Sequence, residues 1–158
     1  MWLDEKQFEA IVAGAPLVSI DLVIRDSSKK VLLGQRTNRP AKGFWFVPGG
    51  RIMKNETIAI AYERLLNAEL GIEGGSIDQA KFLGVYQHFY GDSVFGDSPP
   101  THYVVIGFEL TLSDFDMKSL PSEQHSFYKW YGEPELLTSD EVHAHTKDYF
   151  RDARNSYV

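Results

Sequence analysis

The sequence contains no cysteine among its 158 residues. This absence excludes a disulfide framework, a zinc site built on thiolates and a cysteine nucleophile. The N-terminus also lacks the basic segment and the long apolar stretch of a signal peptide, since Asp4 and Glu5 follow directly after Trp2 and Leu3. We therefore expect a cytoplasmic protein.

Basic charge and long apolar runs are also scarce. The 16 lysines and arginines are outnumbered by 22 acidic residues, so nucleic acid is not expected as a partner, and any phosphate must be met by a local basic cluster or a metal. No apolar run approaches the roughly 18 residues of a membrane span, so no membrane partner is expected. The length and the 43% hydrophobic content predict one globular domain over residues 1–158.

The apolar pattern predicts a mixed α/β domain in which helices pack on a sheet. The predicted helices are a short one capped by Asp4 and reaching about Ala13, a central one over Glu56–Leu70 that Gly71 ends, and a closing one over Val142–Arg154. The predicted strands are Leu17–Arg25 and Val31–Leu33, which form a hairpin, then Lys81–Tyr90, His102–Leu112 and Phe127–Tyr131. Loops are predicted over Thr37–Gly43, Pro48–Gly50 and Gly91–Pro100.

Charged residues follow a specific spacing along the central helix and its entry loop. Gly50, Glu56, Arg64, Glu69 and Gly71 match the frame G-x5-E-x7-R-E-U-x-E-E-x-G-U, in which U is a bulky aliphatic residue. This is the pattern of the Nudix superfamily, which the chain therefore resembles. The match is incomplete at the two positions where the pattern has glutamate and this chain has leucine and alanine.

The two departures are Leu65 and Ala68, and the chain shares both with one branch of that superfamily. The sequence closely resembles the GDP-mannose mannosyl hydrolases in Leu32–Gly34, Arg36–Ala41, Trp45–Arg51, Gln87–Tyr90, His102–Val105 and Glu123–His125. The resemblance implies a Nudix-type α/β/α sandwich with a mixed sheet between helices. It also implies a homodimer that hydrolyses GDP-mannose, with GDP-glucose as a further substrate, to GDP and free sugar by attack of water at the anomeric carbon with inversion.

A magnesium site follows from the same resemblance. Mg²⁺ prefers oxygen ligands, and without carboxylates at Leu65 and Ala68 the helix has fewer groups with which to hold additional ions. The resemblance implies that the Gly49 carbonyl, Glu69 and the side-chain oxygen of Gln124 hold one Mg²⁺ per subunit, with Mn²⁺ as an alternative. Such an ion would stabilise the charge of a departing GDP.

Four side chains are expected to serve the reaction itself. His125, next to Gln124, is the expected general base because imidazole titrates near neutral pH. Arg36 is expected to hold the diphosphate and Tyr103 to donate to one of its oxygens. Asp21, alone in an apolar strand, needs a partner there and would either contact a sugar hydroxyl or orient a neighbour.

The expected substrate contacts begin with the N-terminal segment. Trp2, Leu3 and Phe8 would line the nucleotide site across a homodimer, according to the resemblance, or pack the first helix onto its own core. Arg51 and Arg64 are candidate phosphate ligands.

Other interpretations of the charged helix and of the histidines stay open. Arg64 would alternatively pair with Glu56 or Glu63 and brace the helix. His88 would be a satisfied core residue or a substrate contact. His143 and His145 are expected to diverge on a helix and to be solvated.

Two other functions remain as alternatives. One is an ordinary pyrophosphohydrolase that yields GMP and a sugar 1-phosphate. The other is an inactive sensor of nucleotide sugars.

Overall fold

The computed structural model describes residues 2–112 and 125–151, without the side chains of residues 125–127. The helices are α1 (Glu5–Gly14), α2 (Ile58–Leu70), α3 (Glu133–Thr138) and α4 (Ala144–Lys147), with 3-10 turns at Ile77–Gln79 and Asp148–Phe150. The strands are β1 (Leu17–Arg25), β2 (Val31–Arg36), β3 (Trp45–Phe46), β4 (Gly49–Arg51), β5 (Lys81–Tyr90), β6 (Thr101–Thr111) and β7 (His125–Tyr131). No helix within the described ranges is long and apolar enough to cross a membrane.

The strands form one mixed sheet, which confirms the expected fold class. The order is β3-β2-β1-β6-β5, with β4 added to β1 and β7 added to β2. β1 is parallel to β6 and antiparallel to β2, and Arg25 pairs with Val31 across the predicted hairpin. A parallel pair requires a long crossover, and α2 lies within the chain segment that makes it.

Alternating side chains of β1 supply a core on each face of the sheet. Ile20, Leu22 and Ile24 pack with the buried face of α2, which includes Leu65 and Leu66. On the other face, Val23 packs in a second core with residues of β2, β5, β6, α3 and the C-terminal turn, namely Val31, Leu33, Tyr86, Val105, Leu136 and Tyr149. The sheet therefore lies between helices, as the α/β/α expectation requires.

The predicted loop over Pro48–Gly50 is wrong in part, because Gly49 and Gly50 begin β4. This strand pairs antiparallel with β1, so that Asp21 lies opposite Gly49 and Ile20 lies opposite Gly50. Glycine is a poor predictor of strands because it has no side chain to pack. Here the missing side chain is what permits the close approach of the two strands.

The central helix is confirmed, with a later start than predicted. Thr57 is its N-cap and accepts a hydrogen bond from the backbone N–H of Ile60, so Glu56 lies before the helix. Gly71 ends it in the left-handed conformation with φ 68°, as expected of a glycine at that place.

The C-terminal prediction of one helix over Val142–Arg154 is wrong. Val142 forms a bridge with Trp45, and the His143 side chain caps a helix of only four residues before the 3-10 turn begins. Backbone pairing of this segment to β3 competes with helix formation, and the predicted end at Arg154 lies outside the described residues. α3 was not predicted, although Pro134 in its first turn is a typical helix-start signal.

Candidate active site

A cavity of about 450 Å³ opens where α1, α2 and the strands meet. Ten of the residues singled out in the sequence line it: Trp2, Phe8, Asp21, Arg36, Gly49, Arg51, Arg64, Glu69, His88 and Tyr103. Leu3 is half-buried and is not among the lining residues. The structure thus brings together residues from seven separate elements and the N-terminal segment.

The α2 side of the cavity presents a single described carboxylate. Glu69 is only 4% exposed and lines the cavity together with Leu65 and Ala68. Leu65 belongs to the core and Ala68 is exposed, so neither adds an oxygen to the cavity wall. Glu63, further along the helix, is exposed and does not line the cavity.

Arg64 is a brace, as one of the two interpretations of the sequence held. Its Nε lies 2.5 Å from Oε1 of Glu56, and its Nη2 donates to the other Glu56 oxygen at 2.9 Å and to the Arg51 carbonyl at 2.9 Å. Glu56 also accepts from the backbone N–H of Met53. The Arg64 hydrogen bond lowers the pKa of Glu56 below its ordinary value. This network joins β4 to α2.

Gly49 and Gly50 approach their neighbours too closely for any other residue. A Cβ at Gly49 would collide with the Ile20 carbonyl and with Oδ1 of Asp21. A Cβ at Gly50 would collide with a methyl group of Leu65. The two glycines therefore let β4 lie flush between β1 and α2 at the cavity.

Besides Arg64, two further cationic side chains lie on the cavity wall. Arg36 ends β2, and its Nε donates to the Pro40 carbonyl at 2.8 Å, which fixes the guanidinium against the loop. The guanidinium carbon of Arg51 lies 4.4 Å from the ring centre of Phe8, a cation–π contact that holds α1 over the cavity. Guanidinium groups in this setting suit an anionic ligand.

Asp21 has the partner that its place in an apolar strand requires. It is 8% exposed, and the hydroxyl of Tyr149 donates to its Oδ2 at 2.5 Å. Burial raises the pKa of Asp21 to about 7, against the opposing effects of the Tyr149 hydrogen bond and the Arg36 charge. Sequence reasoning missed Tyr149, although the isolated aspartate was a signal that such a partner exists.

Tyr103 and His88 face each other as cross-strand partners on β6 and β5. Burial raises the pKa of Tyr103 above its ordinary value, so its hydroxyl keeps its proton at neutral pH. Tyr90, also on β5, lines the same cavity, and burial raises its pKa as well. Tyr90 was not singled out in the sequence, since a tyrosine in a strand ordinarily serves packing.

His88 is not satisfied within the described part of the chain, because its buried Nε2 has no hydrogen-bond partner there. It is 2% exposed, and its ring stacks on His145 with the centroids 4.3 Å apart. Burial, together with the nearby His145 and His143, lowers the pKa of His88 to about 3. The neutral ring is therefore available for a hydrogen bond with a ligand.

The expectation that His143 and His145 diverge into solvent is wrong. His143 precedes α4 as its N-cap, so the two residues do not follow helical geometry, and their ring centroids are 4.8 Å apart. Both are half-buried, and His145 Nε2 lies 3.1 Å from the Phe89 carbonyl. No group of three or more metal-ligating side chains is found among the described residues.

The two remaining site residues lie at the start of β7. His125 pairs with Arg36 in the sheet, so its backbone is adjacent to a residue of the cavity wall. Its side chain and the whole of Gln124 lie outside the described residues.

The arrangement combines a buried carboxylate, arginines, neutral hydrogen-bonding groups and an aromatic rim. Trp2 is 83% exposed at that rim. Such a site suits a ligand that carries an anionic group, hydroxyls and a planar ring.

Comparisons with known proteins identify the family to which this fold belongs. The model of the NUDIX domain family matches residues 15–153. A low-salt glycan biosynthesis protein, Agl8 of Haloferax volcanii, is 42% identical over 132 residues, which cover 84% of this chain and 81% of the relative. An ADP-ribose pyrophosphatase of Methanocaldococcus jannaschii is 33% identical over 121 residues, covering 67% of this chain and 65% of the relative.

Solved structures show the same fold at low sequence identity. A MutT protein from Methanosarcina mazei has a TM-score of 0.65 at 22% identity and covers 85% of this chain and 91% of its own. The NUDIX domain of NrtR from Shewanella oneidensis, solved in complex with ADP ribose, has a TM-score of 0.64 at 22% identity and covers 96% and 93%. The family model spans most of the chain, and the protein therefore belongs to the Nudix family of hydrolases.

Proposed function

We propose that the protein hydrolyses GDP-mannose, and GDP-glucose as a further substrate, to GDP and free sugar. The observation that supports this choice is the single described carboxylate, Glu69, that α2 presents to the cavity between two apolar positions. Attack on phosphorus in Nudix enzymes uses several helix carboxylates around divalent ions, as the resemblance implies. Attack on the anomeric carbon mainly requires that the departing diphosphate be stabilised.

The oxygen donors at the cavity fit one hard divalent cation. Glu69 is a buried carboxylate that lines the cavity, and the half-buried Gly49 lines it too. We propose that the Gly49 carbonyl, Glu69 and Gln124 hold one Mg²⁺, or Mn²⁺ in its place. When bound, this ion supplies positive charge to the diphosphate of the leaving group.

The protein's own cations and donors serve the same diphosphate. We propose that Arg36 binds it with a guanidinium held in place by Pro40, and that Tyr103 donates a hydrogen bond to it. Arg51 adds positive charge from β4. Arg64 lines the cavity, but its described hydrogen bonds go to Glu56 and Arg51. It therefore contributes by bracing β4 rather than by direct contact with the diphosphate.

The sugar is proposed to meet the opposite wall. Asp21 accepts a hydrogen bond from a sugar hydroxyl, and the unpartnered Nε2 of His88 contacts the same ring. His125 removes the proton from the attacking water, which enters opposite the leaving GDP and inverts the anomeric centre.

The guanine base of the substrate is proposed to lie against the N-terminal segment. Trp2 and Phe8 offer apolar rings to the cavity, and the half-buried Leu3 precedes the helix that carries Phe8. We propose that this segment meets a second copy of the chain in a homodimer, that residues 1–158 form one domain, and that the protein works in the cytoplasm.

A pyrophosphohydrolase is the second candidate, because one relative is named an ADP-ribose pyrophosphatase. The products of GDP-mannose hydrolysis in the presence of Mg²⁺ decide between the two functions. We expect GDP and mannose. Production of GMP and mannose 1-phosphate would instead establish the second candidate, and binding without turnover would indicate a sensor.

A further inference from the structure

Asp21 is held from behind by a residue that does not itself reach the cavity. The Tyr149 hydroxyl donates to Oδ2 of Asp21 at 2.5 Å, and both residues are only 8% exposed. Asp21 lines the cavity, whereas Tyr149 is not among the lining residues. The tyrosine can therefore influence a ligand through the aspartate but not by direct contact.

The two oxygens of Asp21 have different surroundings. Oδ2 accepts from Tyr149, while Oδ1 lies so close to Gly49 that a Cβ there would collide with it. Gly49 also lines the cavity, so Oδ1 lies against another residue of the cavity wall. A rotation of the carboxylate would lose the Tyr149 hydrogen bond and change this orientation.

Tyr149 is itself fixed by the segment that carries it. Its ring packs edge-on against Tyr86, with centroids 4.5 Å apart. The same segment is tied to the cavity strands, since the backbone N–H of Val47 donates to Thr146 at 3.2 Å. His145 adds its contact with the Phe89 carbonyl at 3.1 Å. The hydroxyl of Tyr149 is thus presented from a rigid support.

We propose that Tyr149 is a positioning residue that orients Asp21 so that Oδ1 accepts a hydrogen bond from a hydroxyl of the substrate sugar. This inference rests on the proposed function, in which Asp21 meets the sugar. Burial and the adjacent Asp21 raise the pKa of Tyr149 well above its ordinary value, so the phenol remains a donor at neutral pH. One oxygen of the carboxylate is then always occupied and the other is kept for the ligand.

The positioning role predicts a selective defect in Tyr149→Phe. The ring and its packing are retained, but the carboxylate loses one of its anchors. We expect KM for GDP-mannose to rise about tenfold, the size of effect of one hydrogen bond to a charged group, while kcat changes by less than about threefold. The affinity for GDP should not change, because GDP has no sugar to meet Asp21.

The test compares Tyr149→Phe, Asp21→Asn and the double variant, with Tyr62→Phe as the matched control. Tyr62 is a buried tyrosine of α2 whose hydroxyl has no hydrogen-bond partner among the described residues and which does not line the cavity. Steady-state kinetics give kcat and KM, and calorimetry without divalent cations gives the dissociation constants of GDP-mannose and GDP. We expect the double variant to be no worse than Asp21→Asn, since Tyr149 acts only through Asp21.

Several results would overturn the role of Tyr149. These are an unchanged KM, an equal loss of affinity for GDP and GDP-mannose, or additive effects in the double variant. Partial unfolding would lower the apparent kcat and leave KM unchanged, so the two causes are separable. If the wild type binds GDP-mannose without hydrolysing it, the proposed reaction fails, and the dissociation constants of GDP-mannose and GDP still decide the role of Tyr149. If the wild type does not bind GDP-mannose, the proposed reaction and the role of Tyr149 both fail.

Discussion

The two walls of the cavity differ in how they are built. The helix wall consists of Glu69, Leu65 and Ala68, all within one turn of α2. The strand wall consists of Asp21, His88 and Tyr103, which come from β1, β5 and β6. The first wall is mostly apolar around one carboxylate, and the second is made of polar groups supported from behind by Tyr149 and His145.

This difference suggests a division of labour. In the proposed function, a carboxylate and arginines that line one cavity serve a cation and a diphosphate, whereas neutral or weakly acidic groups at fixed positions serve the hydroxyls of a sugar. The helix wall lacks the further carboxylates that attack on phosphorus would use. We therefore propose that the helix wall assists the departure of GDP and that the strand wall recognises the sugar.

The largest effect on kcat is expected for His125, which is not one of the residues that define either wall. His125→Gln should lower kcat by roughly 10²- to 10⁴-fold, the range for loss of a general base, with little change in GDP affinity. Steady-state kinetics and calorimetry give the two quantities. His102→Gln is the control, since His102 does not line the cavity. A wild-type kcat in His125→Gln would show that His125 is not the general base, and a residue of one of the walls would then have to activate the water.

Glu69→Gln tests the helix wall. Loss of the only described helix carboxylate at the cavity should weaken Mg²⁺ activation of the enzyme by roughly 10²-fold, because a hard cation binds a neutral amide less well than a carboxylate. The measurement is activity as a function of Mg²⁺ concentration. Glu63→Gln, an exposed glutamate of the same helix, should match the wild type. If Glu69→Gln and Glu63→Gln have the same Mg²⁺ dependence, Glu69 is not a ligand.

β4, which lies between β1 and α2 and so joins the two walls, is tested by substitutions of its two glycines. Gly49→Ala should lower the free energy of unfolding by about 3 kcal/mol, because its Cβ meets the Ile20 carbonyl and that backbone group cannot move aside. Gly50→Ala should cost only about 1 kcal/mol, since the Leu65 methyl group that it meets can rotate. Urea denaturation measures both, and a larger loss for Gly50→Ala would contradict this description of the junction.

The strand wall should make the fold sensitive to acid. The folded-state pKa of His88, about 3, lies below the ordinary value of 6.5, so the folded protein binds fewer protons than the unfolded chain between these values. The stability that His88 contributes is therefore full above pH 6.5 and is lost as the pH falls toward 3. The rings of Tyr90, His145 and Tyr149 contact His88, and His143 acts on it electrostatically.

His88→Gln removes the contribution of His88 to this loss of stability in acid. Between pH 7.5 and 4.5, the wild type should lose about 2 kcal/mol more of its free energy of unfolding than the variant does. Urea denaturation at both pH values gives the difference. Parallel losses in the two proteins would show that His88 is not held neutral by its surroundings.

The walls also differ in how far the sequence predicts them. The apolar pattern of one helix is a local property, so the sequence predicts α2. The pairing of Arg64 with Glu56 or Glu63 was one of two interpretations that the sequence left open. The strand wall depends on contacts between distant segments, and nothing local links Tyr149 to Asp21. The isolated Asp21 indicated that a partner was needed but not which residue supplies it.

The errors in secondary structure have the same origin. Gly49 and Gly50 form a strand because β1 pairs with them, and this pairing has no signal in the local sequence. The segment after Val142 has no glycine or proline up to Arg154, but its bridge to Trp45 and the cap by His143 restrict its helix to a short one. Tertiary pairing overrides local preference in both places.

The account is tested most directly by hydrolysis of α-linked GDP-mannose in ¹⁸O-labelled water. If the helix wall only assists the departure of GDP, water attacks the anomeric carbon, the label appears in mannose and none appears in GDP. The mannose released first should be the β anomer, because a single water entering opposite the leaving group inverts the centre. Label in a phosphate would contradict the account, and initial release of the α anomer would contradict inversion.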